Sequence, residues 1–207
     1  GVRGGDLIQN CFAYHFTPAG LMVEGGAAKL GCPVIPAGIG QTEMQVQAMS
    51  LLKPKVYVGT PSFLKIIIEK ARELGEDISS VKYALVGAEA LPPSLRGWLN
   101  DHGVDYVLQT YGSADIGNIA YETLSNGQVN PGMVLDETLI LEIVRPGTGE
   151  PVPDGEVGEV VITSFNPDYP LIRFATGDLS AVLIGASPCG RTNTRLKGWM
   201  GRADQTT

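Results

Sequence analysis

The residues with the most chemistry to offer lie in one short run, Gln109-Thr110-Tyr111-Gly112-Ser113-Ala114-Asp115-Ile116-Gly117. An apolar, β-branched segment, Tyr106-Val107-Leu108, leads into it. The run is expected as an exposed turn at a strand end that gathers an aromatic ring, chain-bending glycines and a carboxylate. Gly112, like Gly87 upstream, would let a flat ring approach the backbone. Asp115 offers oxygen ligands to a hard cation such as Mg²⁺, which typically takes one or two carboxylates plus substrate phosphates. Further groups answer the run: Gly87-Ala88-Glu89-Ala90-Leu91, Thr176-Gly177-Asp178-Leu179 and Gly201-Arg202-Ala203-Asp204. Asp178, after the Thr176-Gly177 turn, is placed to accept from ribose hydroxyls. The order and spacing of these groups point to a nucleotide site.

Positioning such groups takes strands with loops at their carboxyl ends. Through the first half of the chain, short β-branched runs alternate with amphipathic stretches. Strands are expected at 7–9, 33–35, 56–58, 81–86 and 106–108, and helices at 18–30, 42–52, 61–74 and 92–102. Gly31 and Gly75 follow their helices as C-terminal caps. Thr60-Pro61 reads as an N-cap followed by a first-turn proline. Thr42-Glu43-Met44-Gln45 has the spacing of a capping box. Phe63, Ile67, Ala71 and Leu74 recur as one buried helical face. Alternation of this kind gives a parallel sheet covered by helices. Ligands of such sheets collect outside the carboxyl ends of the strands, where helices begin. The loops leaving those ends are 10–16, 59–61, 87–91 and 109–117. After about residue 117 the chain becomes β-rich with frequent turn signals, as expected of a smaller barrel-like subdomain. The fold class expected is therefore α/β, a parallel sheet flanked by helices and followed by that β-rich part.

Composition narrows the partners. The chain is 43% hydrophobic and 18% charged, which is globular composition. Its formal net charge of −7 argues against a sequence-independent nucleic-acid binder. No apolar stretch approaches a membrane span in length, and Lys65 interrupts the longest candidate, 63–68. The three cysteines, Cys11, Cys32 and Cys189, are odd in number and far apart, which favours a reducing, cytoplasmic setting over a disulfide framework. Cys189 stands alone, so no zinc is expected there. Cys11 reads as a small core residue. Arg195, Lys197 and Arg202 read as a solvated connector that could attract phosphate groups.

Taken in order, these groups resemble the adenylate-forming superfamily, and within it the phenylacetate-CoA ligase branch. The resemblance also rests on Gly1-Val-Arg-Gly-Gly-Asp6, the 149–159 run Gly-Glu-Pro-Val-Pro-Asp-Gly-Glu-Val-Gly-Glu, Leu171-Ile-Arg-Phe-Ala-Thr-Gly-Asp-Leu179 and Pro188-Cys-Gly-Arg-Thr192. It covers nearly the whole chain. What it implies is an enzyme that joins a carboxylate to ATP, giving acyl-adenylate and pyrophosphate, and then passes the acyl group to coenzyme A. By the same resemblance, the backbone of Gly87, Ala88 and Glu89 lines the adenine. Tyr111 stacks on it, Gly112 and Ser113 adjoin it, and Asp178 holds the ribose. Arg202 serves the ribose and phosphate side and, with Asp115 as the Mg²⁺-binding acid, completes the catalytic pair. Phe12, Tyr14, His15 and Phe16 wall the acyl pocket, and Asp204 sits at a hinge.

The domains implied are an α/β nucleotide- and acyl-binding part at 1–120, incomplete at its N-terminus, a β-rich part at 121–200, and a hinge opening a further domain at 201–207. The substrates implied are an aryl carboxylic acid such as phenylacetate, ATP and coenzyme A, with no nucleic acid or membrane partner. A homodimer is the assembly it suggests. Departures from the family pattern are Ala114 in place of a hydroxyl residue, Asp115 in place of Glu, Phe174-Ala175 in place of an aromatic–Arg pair, and Gln205 in place of a second acid. The family's phosphate loop and C-terminal lysine fall outside this sequence, so the fragment alone is expected to be inactive. Adenylyl transfer to a cofactor hydroxyl, or a non-catalytic module holding AMP or acyl-adenylate, are the alternative readings.

Overall fold

The computed structural model describes residues 1–205; residues 206 and 207, the end of the expected hinge segment, lie outside the described residues. Strand and helix alternate as β1 (Ile8–Asn10), α1 (Ala19–Leu30), β2 (Val34–Pro36), α2 (Thr42–Leu52), β3 (Val56–Gly59), α3 (Pro61–Leu74), β4 (Tyr83–Val86), α4 (Pro93–Asp101) and β5 (Tyr106–Ser113). The chain divides into two units, Gly1–Gln109 and Thr110–Thr207. The division falls within β5, upstream of residue 120, where the sequence changes style.

In the first unit the strands lie parallel in the order β2-β1-β3-β4-β5. Successive residues of a strand point to opposite faces, and β3 shows the consequence. Val56 and Val58 join Ile8, Ala27 and Cys32 on the side of α1. Tyr57 joins Val46, Met49, Leu64, Ile67 and Leu99 from α2, α3 and α4 on the other. Both faces are thus covered, as a parallel sheet requires.

The helix ends follow local chemistry. Gly31 and Gly75 close α1 and α3 in the left-handed region. Thr60 Oγ1 accepts from the Phe63 N–H, with Pro61 opening α3. Two expectations need correction. The α3 face is Leu64, Ile67, Ile68 and Ala71, while Leu74 is 42% exposed. The period is right and the phase turns toward Leu64, because that row meets the sheet. The capping box at Thr42 does not form. Gln45 is buried instead, donating to the carbonyls of Ala37, Gly38 and Gly40 and accepting from Gln9 Nε2 and Cys11 Sγ. An amide drawn into a core must satisfy its groups there, and that demand outweighs the cap.

The second unit is antiparallel. The last residues of β5, Thr110 to Ser113, pair with β6 (Gly117–Tyr121). A short hairpin, β7 (Leu124–Ser125) and β8 (Gln128–Val129), precedes β9 (Met133–Leu135), which pairs with β6. Then β10 (Leu139–Val144), β11 (Gly158–Ser164) and β12 (Phe174–Ser180) form a three-stranded sheet. This sheet is open, with β11 at its centre, and does not close into a barrel. β13 (Arg195–Leu196) adds to β9, and a short 3₁₀ turn occupies Ala203–Gln205. Ile119, Met133, Leu135, Ile143, Val160, Ile162 and Leu196 fill the core.

Candidate functional site

The densest polar arrangement of the second unit centres on Asp178. β12 carries Thr176 and Asp178 on either side of Gly177, whose φ of +74° suits glycine. A Cβ at Gly177 would lie 2.7 Å from Arg202 Nη2, so the glycine also makes room for the guanidinium. Asp178 Oδ2 accepts from the Tyr111 hydroxyl at 2.9 Å. Oδ1 accepts from Arg202 Nη1 at 3.1 Å and from the Trp199 indole Nε1 at 3.0 Å. Arg202 Nη1 also donates to the Thr176 carbonyl at 3.0 Å, and its Nε lies 3.7 Å from Asp204. The Thr176 hydroxyl donates to the Val160 carbonyl and accepts from the Asp178 N–H, fixing the turn from behind. Asp178 and Arg202 are further joined by an isolated antiparallel bridge. Burial, helped by the neighbouring Asp178 charge, raises the Tyr111 hydroxyl well above the ordinary phenol range, so it is a donor at neutral pH. The Asp178 hydrogen bond raises Arg202 likewise.

The 109–117 run is not a turn from its start. β5 continues through Ser113, and only residues 114–116 turn before β6. Tyr111 is therefore a strand residue whose ring packs against the core of this unit while its hydroxyl reaches Asp178. Gly112 sits at a β-bulge, and a Cβ there would collide with the Gly117 carbonyl oxygen. The backbone that comes close at Gly112 is thus its own hairpin partner. Ser113 Oγ accepts from the Ile116 N–H and so braces the turn. Asp115 is exposed at the tip. Among the described residues no group of three or more His, Cys, Asp or Glu could hold a metal ion. A lone exposed carboxylate fits a cation that arrives with phosphates, not one caged by protein.

The first unit carries the remaining candidates. Gly87 is buried and Ala88 takes a φ of +62°, which turns the loop outward after β4. Glu89 Oε1 accepts from Ser62 Oγ at 2.9 Å, at the amino end of α3, and its carbonyl accepts from Gln109 Nε2 at 3.3 Å. Glu89 thereby anchors its loop, a role that sequence reasoning missed together with Ser62. In the loop after β1, Asn10 Nδ2 donates to the Tyr14 hydroxyl at 2.8 Å and to the Gly20 carbonyl at 2.9 Å. The Tyr14 hydroxyl in turn donates to Glu24 of α1 at 2.7 Å. Burial, with the Glu24 carboxylate adding to it, pushes the Tyr14 hydroxyl up to about 12. Phe12 packs against the α1-side core, whereas His15 and Phe16 are exposed, Phe16 with a φ of +55°. Asn10 and Glu24 carried no signal in the sequence beyond lying near the aromatic run.

The expected solvated connector is corrected too. Arg195 is buried and donates to the carbonyls of Pro131 and Gly185. Lys197 reaches the Gly155 carbonyl. Cys189 lies 3.0 Å from Ser187 Oγ, with Arg191 Nη1 at 3.6 Å. Hydrogen bonding from Ser187 and then Thr123, with Arg191 nearby, lowers its thiol to about 6. No helix among the described residues is long and apolar enough to cross a membrane.

The helix-covered parallel sheet and the antiparallel strands that follow it define an α/β protein with a polar cluster at Asp178. The sequence profile of the AMP-binding enzyme family matches residues 5–166, and the chain belongs to that family. The phenylacetate-coenzyme A ligase of Thermus thermophilus is 33% identical over 99% of this chain and 46% of its own length. That of Escherichia coli K12 is 33% identical over 96% and 46%. The chain thus spans about half the length of the curated relatives it matches. Among solved structures, 2-hydroxyisobutyryl-CoA ligase, in an open conformation with 2-HIB-AMP and CoA, superposes with a TM-score of 0.87. It is 26% identical over 99% of this chain and 46% of that one. The likeness to the phenylacetate-CoA ligase branch read from the motifs holds, as does the α/β fold with its antiparallel part.

Proposed function

We propose that this chain carries the nucleotide- and acyl-binding core of an ATP-dependent carboxylate–CoA ligase. Its reaction takes a carboxylate and ATP to acyl-adenylate and pyrophosphate. Attack by the coenzyme A thiol then gives the thioester and releases AMP. The observation that supports it best is the Asp178 cluster: a carboxylate held by Tyr111 and Arg202 in a chain related to phenylacetate-CoA ligases. In this reading Asp178 accepts the ribose hydroxyls, Tyr111 stacks on adenine, and the backbone of 87–89 lines the ring edge. Arg202 serves the phosphate side. Asp115 would hold Mg²⁺, which when bound neutralises charge on the departing pyrophosphate. Phe12 and Tyr14 wall a pocket for a flat apolar acid, with His15 and Phe16 at its exposed end. Asp204 marks the hinge, and the three free thiols suit a cytoplasmic enzyme.

The test is ATP–pyrophosphate exchange in the protein that contains this chain, with phenylacetate and a panel of aryl and aliphatic acids. Acid-dependent exchange is expected, strongest with an aryl acid. AMP binding without exchange for any acid would replace the ligase reading with that of a nucleotide-holding module.

A further inference from the structure

Trp199 is required by none of the motifs, yet it holds one of the two oxygens of the central carboxylate. Its indole is 46% exposed and donates Nε1–H to Asp178 Oδ1. A carboxylate offers about four lone-pair sites. Here the Tyr111 hydroxyl, the Arg202 guanidinium and the Trp199 indole take three of them and leave one for a ligand. A vicinal ribose diol brings two further donors. Two hydroxyls cannot both bond to Asp178 unless one protein donor leaves.

The three donors are not held equally. Arg202 is tied to the Thr176 carbonyl, to the backbone bridge with Asp178 and to Asp204. Tyr111 has its ring packed on the core and Thr176 Oγ1 as a second partner at 3.4 Å. Trp199 is held at its polar end by the one indole hydrogen bond among the described residues. It follows Gly198 and lies close to Gly201, whose φ values are +111° and +124°. The indole is the donor with least to lose.

We propose that Trp199 is a specificity-determining residue whose indole N–H stands in for a ribose hydroxyl on Asp178 and is expelled by a nucleotide carrying both 2′- and 3′-hydroxyls. The inference rests on Asp178 being the ribose acceptor. A competing donor lowers apparent affinity by the fraction of protein in which the acceptor is free. A 2′-deoxynucleotide needs one lone pair only and gains little from the indole's departure.

Titration calorimetry of the protein that contains this chain, with AMP and with 2′-dAMP, in wild type, Trp199→Phe and Asp178→Ala, tests this. Trp199→Phe keeps an apolar ring and removes the donor. It should bind AMP about five-fold more tightly, the worth of one hydrogen bond to a charged acceptor from a half-exposed donor, and should change 2′-dAMP less than about two-fold. The difference in emission between wild type and Trp199→Phe isolates this indole and should shift to the red on adding AMP. If Asp178→Ala abolishes AMP binding while Trp199→Phe leaves it unchanged or weaker, the inference is overturned and the ribose assignment stands. An equal gain for AMP and 2′-dAMP, or no emission change at saturating AMP, overturns it too. If Asp178→Ala binds AMP as tightly as wild type, the ribose assignment falls and takes the inference with it.

Discussion

Replacing Asp178 removes an acceptor on which three donors converge, and the structure says how the loss divides. Arg202 and Trp199 are 40% and 46% exposed, so water replaces much of what they lose, and each bond contributes little to stability. The Tyr111 hydroxyl is better shielded and its bond to a charged acceptor is worth more, about 1.5 kcal/mol. Asp178→Ala should therefore lower the stability of the second unit by roughly 1.5–2 kcal/mol, a fall in Tm of about 6–16 °C for a unit of this size. AMP affinity should fall by a similar or somewhat larger free energy. Loss of the ribose hydrogen bonds costs ~1.5–3 kcal/mol, about ten- to a hundred-fold in Kd. Asp178→Asn keeps one acceptor oxygen but no charge, and should lie between alanine and wild type in both measurements. Differential scanning fluorimetry and titration calorimetry on the same three proteins separate the effects. A folded Asp178→Ala protein that binds AMP as tightly as wild type would reduce Asp178 to a turn residue and refute the ribose role.

Asp115→Asn should weaken binding of ATP with Mg²⁺ by about ten-fold, or ~1.4 kcal/mol, and leave AMP binding without metal unchanged; equal losses would mean that Asp115 positions the nucleotide itself. Gly112→Ala drives a Cβ into the Gly117 carbonyl and should destabilise the β5–β6 hairpin by about 1–3 kcal/mol, seen as a lower denaturation midpoint; an unchanged midpoint would show that the bulge can relax freely. Cys189, with its thiol at about 6, should be alkylated at a rate that climbs through that pH and flattens above pH ~7. Ser187→Ala removes the largest cause of the lowering and should move the midpoint upward; a rate still rising steeply near pH 8.5 in wild type would show an ordinary thiol.

What sequence could reveal was what local chemistry decides. Thr60-Pro61 and Gly75 bound α3 because a hydroxyl cap, a fixed φ and a left-handed glycine act within a few residues. The alternation of strand and helix gave the parallel sheet for the same reason. Thr110 to Ser113 look like a turn because Gly and Ser favour one, yet pairing with β6 holds them extended. Gln45 was misread because a capping box is local, whereas its true partners lie in the β2–α2 loop and on β1. Arg195 looked solvated because arginine usually is, and the carbonyls of Pro131 and Gly185, the first of them 64 residues away, draw it inward. Asp178 was legible as a carboxylate after a turn. Trp199 was not, since its meeting with Asp178 depends on a chain reversal of 21 residues.

The contact between Glu89 and Ser62 has a consequence for phosphate. The amino end of a helix carries about half a positive charge and unpaired N–H groups, which makes it a natural seat for anions. At α3 that seat is already taken: the Glu89 carboxylate accepts from Ser62 Oγ, and its other oxygen lies 3.4 Å from the Ser62 N–H. An incoming phosphate would meet a resident negative charge there. The protein has filled that end of α3 with its own carboxylate, which leaves it closed to a second anion.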